Sequence, residues 1–184
     1  FKKMNFPFTV GYGMTECAPI ITYSDWKTEK LYSCGEIVPN MEMKIDSYIK
    51  EQFGIENVDI RTYSPLALAY IGDGIFDLVI RSLIVGKGNT KASQLHYQTS
   101  HIVKAETQAK IIEALENDLT EEEADVYRRG RNAKSPTMAK NASMADYRKA
   151  TGFEALMGYL YLKDEFPRVV ELTKIGLERA GISI

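Results

Sequence analysis

Two carboxylates stand where a folded chain has little use for them. Asp73 sits inside Leu66-Ala-Leu-Ala-Tyr-Ile-Gly-Asp-Gly-Ile-Phe76, and Glu154 inside Phe153-Glu-Ala-Leu-Met157; each is surrounded by residues of core character. A carboxylate taken out of water without a cation or partner is costly. A hard cation held by oxygen ligands would explain both acids. Its chemistry would be hydrolysis of a phosphodiester, in which the metal activates water and offsets charge on the phosphorus. The other reading puts both acids on solvated helix faces, or in ion pairs with arginine. Gly72 and Gly74 each cost a helix about 1 kcal/mol, which makes sense where a second backbone or a substrate comes close. Asp77 is one turn beyond Asp73 on the same face; it reads as a supporting neighbour or an exposed acid rather than a third ligand.

The complementary feature is cationic. Between Arg128 and Lys149 the chain places seven Lys or Arg, at 128, 129, 131, 134, 140, 148 and 149, against the single acid Asp146, although its net charge is only −2. Arg128 and Arg129 also complement a helix C-terminus. The rest are mixed with Asn132, Ser135, Thr137 and Asn141, small hydrogen-bonding side chains suited to phosphate and ribose. That loop lacks interleaved aromatics, which favours a duplex backbone over stacked single strands. His96 and His101 are five apart and off a shared helical face, so joint metal binding is not expected.

These residues must be positioned by helices. Pro65 fits a first helical turn, and an apolar helix runs from there to about Val85, where Gly86-Lys-Gly-Asn89 ends it. Further helices are predicted over Ala92–Val103, Lys104–Glu116, from Thr120-Glu-Glu-Glu123 (a capping box) to the arginines, over Met144–Leu162 and over Arg168–Ala180. Gly130 to Ala139 reads as a loop. The first 46 residues differ: Pro7, Gly11, Gly13, Pro19, Gly35 and Pro39 punctuate short β-prone runs. The expectation is an all-α domain over residues 47–184, preceded by a short non-helical, β-prone appendage over 1–46. Composition is that of a globular chain, 45% hydrophobic and 26% charged. The apolar run 65–85 is interrupted by Asp73, Asp77 and Arg81, so no membrane span is expected. Cys17 and Cys34, outside any C-x-x-C, fit a reducing cytoplasm.

Taken together, Leu66–Asp73, Leu95-His96, Ser100–Ala105, Gln108-Ala109, Arg128–Ser135, Lys140-Asn141, Tyr147-Arg148 and Thr151–Leu162 resemble Mini-ribonuclease III, the short bacterial relative of ribonuclease III. The resemblance implies a ribonuclease III-type helical fold, a homodimer and Mg²⁺-dependent cleavage of double-stranded RNA. The substrate it implies is the 23S ribosomal RNA precursor, with a ribosomal protein as an accessory partner. Asp73 and Glu154 match the catalytic, metal-binding acids. Longer family members carry two further acids at positions where this chain has Ala69 and Thr151, a reduction the short subfamily shares. Gly74 stands where the family usually has Ala. RNA contacts are expected from Arg129, Arg131, Asn132, Lys134 and Lys140, since no double-stranded-RNA-binding domain follows. Each partner of the dimer would cut one strand, and the helix around Phe153–Leu162 is expected at its interface.

The first segment resembles something else. Gly11-Tyr-Gly-Met-Thr-Glu16, Ser33-Cys-Gly-Glu36 and Asn40–Ile45 are similar to the middle of AMP-forming acyl-CoA ligases. In that family, residues matching Tyr12, Thr15 and Glu16 meet adenine, phosphate and Mg²⁺. The phosphate loop that should precede them and the ribose-binding acid and lysine that should follow are missing. Such a segment is too short to bury its own core. The competing functions are therefore a double-strand-specific endoribonuclease, a non-catalytic RNA-binding dimer on the same fold, and, weakest, an adenylate-forming fragment.

Overall fold

The computed structural model describes residues 9–13, 20–25, 36–37, 45–134 and 143–183. The chain divides into two compact units, Phe1–Ile45 and Asp46–Ile184. In the first, strands β1 (Thr9–Gly13), β2 (Ile20–Asp25) and β3 (Glu36–Ile37) form an antiparallel sheet in the order β1-β2-β3, with Thr9 opposite Asp25 and Thr22 opposite Ile37. Tyr12 lies on β1 beside an irregularity at Gly13, whereas Thr15, Glu16 and both cysteines fall outside the described residues.

From Ile45 onward the described residues form α-helices and one 3-10 turn, Ile60–Thr62. The helices are α1 (Ile45–Phe53), α2 (Pro65–Gly86), α3 (Ala92–Val103), α4 (Ala105–Ala114), α5 (Glu121–Asn132), α6 (Met144–Leu162) and α7 (Phe166–Arg179). Their ends follow from local chemistry. Ser64 accepts a hydrogen bond from the Ala67 N–H and Pro65 fits the first turn of α2, while Gly88, at φ +132°, takes the chain out of it. Thr120 and Glu123 form the capping box of α5, and Ser143 caps α6 through the Asp146 N–H. Lys104 adopts an extended backbone and so splits α3 from α4.

The α6 helix is the centre of this unit. Every residue from Ala150 to Tyr161 except Glu154 is buried, enclosed by α2, α4, α5 and α7. The face around Phe153–Leu162 that the sequence placed at a dimer interface is thus used up inside the protomer. A helix apolar on all sides belongs in a core, not at a partner's surface. The α2 helix lies against α6 with almost no space between backbones. A Cβ on Gly72 would come within 1.8 Å of the Glu154 carbonyl, and one on Gly158 within 2.0 Å of the Leu68 carbonyl. The Phe76 and Phe153 rings pack edge to face, with centroids 5.0 Å apart, within one turn of each acid.

A similar close contact joins α5 to α6, where a Cβ on Gly130 would meet the Gly152 Cα at 2.9 Å. The loop expected from Gly130 gives way here: α5 continues to Asn132, because Gly130 is buried against α6 and its backbone stays helical. Among the described residues no helix is long and apolar enough to cross a membrane.

Candidate active site

The α2–α6 crossing brings together the two acids singled out in the sequence. Asp73 follows Gly72 on α2, and the carbonyl of Glu154 itself lies against Gly72. Asp73 is exposed at the surface, whereas Glu154 is largely covered. Burial, with the negative charge of Asp73 added to it, pushes the Glu154 carboxyl up to about 8, against an opposing hydrogen-bonding effect of Gln108. The Asp73 carboxyl is also raised, first by partial burial and then by the charge of Asp77.

Two carboxylates that resist ionisation together are poorly served by water alone. Their donors are hard oxygens, the kind that hold Mg²⁺, Mn²⁺ or Ca²⁺, and a divalent cation would stabilise both charges at once. Among the described residues no group of three or more His, Cys, Asp or Glu assembles that could hold a metal. The positions before each acid are apolar or occupied: Ala69 is buried, and the Thr151 hydroxyl donates to the Tyr147 carbonyl. Asp77 is no third member. It is paired with Arg81 one turn on, and acts on Asp73 through its charge. His96 is exposed, while His101 meets the Tyr97 carbonyl through Nδ1 at 3.0 Å.

The basic candidates divide. Arg129, Arg131 and Asn132 occupy the exposed end of α5, and Lys134 follows just beyond it; Lys140 lies outside the described residues. Gly130, among them, rests on Gly152 and Ala155, so α5 meets α6 at the level of Glu154. The Arg129 Nε is 3.2 Å from Asp125, and the Arg131 guanidinium lies over the Tyr127 ring, 5.8 Å from its centroid. Both cations are therefore held at one end yet open to solvent. A cleft of about 540 Å³ opens elsewhere, lined by Lys87, Tyr97, His101 and Lys104 among others, and neither acid lines it.

Gln108 carried no role in the sequence reading. Its signal was faint: an amide on the inward face of α4, among Ala105, Ala109, Ile111 and Ile112. Only folding sets it against Glu154.

Comparison with known proteins identifies the family of the helical unit. The ribonuclease III domain model matches residues 66–165, from the first turn of α2 to the end of the turn after α6. A Mini-ribonuclease 3 of Clostridium tetani is 48% identical over 118 residues, which is 64% of this chain and 78% of the relative. One from Enterococcus faecalis is 46% identical over 125 residues, covering 67% of this chain and 95% of the relative. A crystal structure of the Fusobacterium nucleatum protein FN1578 superposes with a TM-score of 0.59 at 30% identity, covering 66% of this chain and 98% of that one. A helical unit with paired acids on crossing helices, matched over those helices by the domain model, belongs to the ribonuclease III family, and this chain is an endoribonuclease of that family.

Proposed function

We propose that residues 47–184 form a divalent-metal-dependent endonuclease that cuts double-stranded RNA in the cytoplasm, with the 23S ribosomal RNA precursor as natural substrate and Mg²⁺ as the ion. The observation that carries the metal reading is the meeting of Asp73 with a covered Glu154, where burial first and then the charge of Asp73 lift Glu154 to about 8. Asp73 and Glu154 hold the cation. When bound, it supplies positive charge against the phosphate and makes its waters more acidic. The glycine contact between α2 and α6 holds the backbones that carry the two acids against each other. Arg129, Arg131, Asn132 and Lys134, with Lys140 by sequence, neutralise phosphates along the duplex.

A homodimer suits this task, because two sites related by a two-fold can cut one strand each. Support for it lies on the outer face of α2. Tyr70 is 86% exposed and Leu78 50%, one turn either side of Gly74 and beside Asp73. Such an apolar stripe next to an active acid favours a second copy over open water. The binding-only alternative is weaker, since a protein that merely grips phosphates is harmed by two acids facing them.

The test is cleavage of a labelled RNA duplex with Mg²⁺ by the parent chain and by Glu154→Ala. Cutting by the parent, with a loss of at least about 100-fold in the variant, is expected from removing one of two metal-holding groups. Duplex binding without cutting by either protein would transfer the case to the binding module.

A further inference from the structure

The cations at the end of α5 are held in two different ways. Arg128 and Arg129 both pair with Asp125, within one turn of them on the same helix. Arg131 instead lies over the ring of Tyr127, the residue one turn before it, with 5.8 Å between the guanidinium carbon and the ring centroid. The tyrosine itself is only 8% exposed. Its ring edge is seated on α6: a Cβ on Gly152 would come within 2.6 Å of Tyr127 Cδ2 and 2.7 Å of its Cε2. Gly152 stands two residues before Glu154 on that helix.

A place in the core explains the buried edge of Tyr127, but an aliphatic side chain could fill that space as well. What an aliphatic residue lacks is an electron-rich face on which a guanidinium can rest. The distinction matters for charge. An acid that holds an arginine also cancels it, whereas a neutral ring fixes the guanidinium and leaves its charge in place. Another cation over a ring shows the contrast. Lys163 lies 5.2 Å from the Tyr159 centroid, yet Glu122 and Glu165 are each 3.0 Å from its ammonium, so its charge is answered within the fold. Arg131 is exposed, and it is also pinned at its root. Its neighbour Gly130 is pressed on α6, where a Cβ would meet the Ala155 Cβ at 2.7 Å. The backbone directly, and the head group through the ring, both take their place from the helix that carries Glu154.

We propose that Tyr127 is a positioning residue for RNA binding: its ring, seated on Gly152, holds the Arg131 guanidinium ready for a duplex phosphate at a fixed place relative to Glu154. This rests on the reading of Arg131 as an RNA contact and extends it. Tyr127 acts through Arg131 and not on the RNA itself. By ordering a long side chain in advance, it lowers the conformational freedom that binding has to remove. A cation–ring contact at an exposed site corresponds to about two- to fivefold in affinity.

The experiment measures affinity of the full chain for a labelled RNA duplex by fluorescence anisotropy, across a series of salt concentrations and without divalent metal, so that no cleavage intervenes. Parent, Tyr127→Phe, Tyr127→Leu, Arg131→Ala and the variant carrying both Tyr127→Leu and Arg131→Ala are compared, each with its Tm. Arg131→Ala should weaken binding and reduce the salt slope by about one. Tyr127→Leu should weaken it about two- to fivefold with the slope unchanged, since no charge is removed. Tyr127→Phe, which keeps the ring, should rescue the binding that Tyr127→Leu loses. In the double variant the change at Tyr127 should add nothing to the loss from Arg131→Ala, the mark of a residue that acts only through another. A loss of the same size from Tyr127→Leu in both backgrounds would overturn the proposal and leave Tyr127 as core alone. So would parent-like affinity in a folded Tyr127→Leu.

A ring of nearly unchanged shape covers the case in which Tyr127→Leu does not fold. Phenylalanine and trifluorophenylalanine placed at position 127 fill almost the same space, but fluorine draws electron density from the ring face and weakens its hold on a cation. Duplex affinity should fall on fluorination at equal Tm, with KM for cleavage raised and kcat little changed; equal affinity for the two rings overturns the proposal. Failure of the underlying reading looks different. In that case Arg131→Ala binds the duplex as tightly as the parent and with the same salt slope. If Arg131→Ala weakens binding and fluorination of the ring does not, only the role of Tyr127 falls.

Discussion

Glu154 concentrates the chemistry of this chain into one titration. Its carboxyl titrates near 8 in the folded protein, above the usual carboxylate range, because α6 buries it and Asp73 faces it. The sign follows directly: the metal-free native state binds the proton more tightly than the unfolded chain. This contribution is fully present below the unfolded carboxyl's pKa near 4.5 and is lost as pH rises towards about 8. Metal-free protein should accordingly lose Tm over that window, and Glu154→Gln should flatten the profile. Activity runs the other way, since the ionised pair is the form that holds a cation. At low Mg²⁺ the rate of duplex cleavage should climb towards pH 8, and raising Mg²⁺ should move the rise to lower pH. A rate profile that ignores Mg²⁺ concentration would remove the pair from the site.

Among the elements, the crossing of α2 over α6 decides whether those residues meet. Two glycines on α2 that the sequence made suspicious for a single reason differ in the structure, and the crossing depends on only the first of them. Gly72 has no room: a Cβ there would strike the Glu154 carbonyl and, at 2.6 Å, the Gly158 nitrogen. Gly74 has nothing within 4 Å of its added Cβ. Thermal and urea unfolding should therefore separate them. Gly72→Ala is expected to cost upwards of about 2 kcal/mol, since backbone cannot yield as a side chain does, and to abolish cleavage by spreading the acids. Gly74→Ala should stabilise α2 by up to about 1 kcal/mol and keep the metal site. Equal effects would mean that the helices do not approach as described.

Across the whole helical unit, the apolar surface left on α2 points outward although its opposite face is core. Tyr70 and Leu78 are the exposed counterparts of the buried Phe76 and Val79. Sedimentation of the chain should give a dimer, and Tyr70→Asp should shift it to monomer by burying a charge at the contact. A dimer unchanged by that substitution would place the contact elsewhere. Such placement matters for the proposed activity, in which two sites related by a two-fold share one duplex.

The amino-acid sequence by itself determined most of the helices and singled out two acids. Pro65, the Thr120–Glu123 box, Ser143 and Gly88 act over a few residues, so their signals can be read without a fold. Asp73 and Glu154 were legible because a charge in an apolar helix is anomalous in any tertiary setting. Where helices end against one another was less legible. The α5 helix runs through Gly130 because α6 packs on it, a contact made with residues more than twenty positions away. The Phe153–Leu162 face looked free for a partner because periodicity shows that a face is apolar but not what covers it. Only the tertiary structure decided that Gln108, thirty-five residues from one acid and forty-six from the other, turns its amide towards Glu154. Local signals come from backbone hydrogen bonds and caps, whereas the meeting of Asp73 with Glu154 is made where separate helices cross.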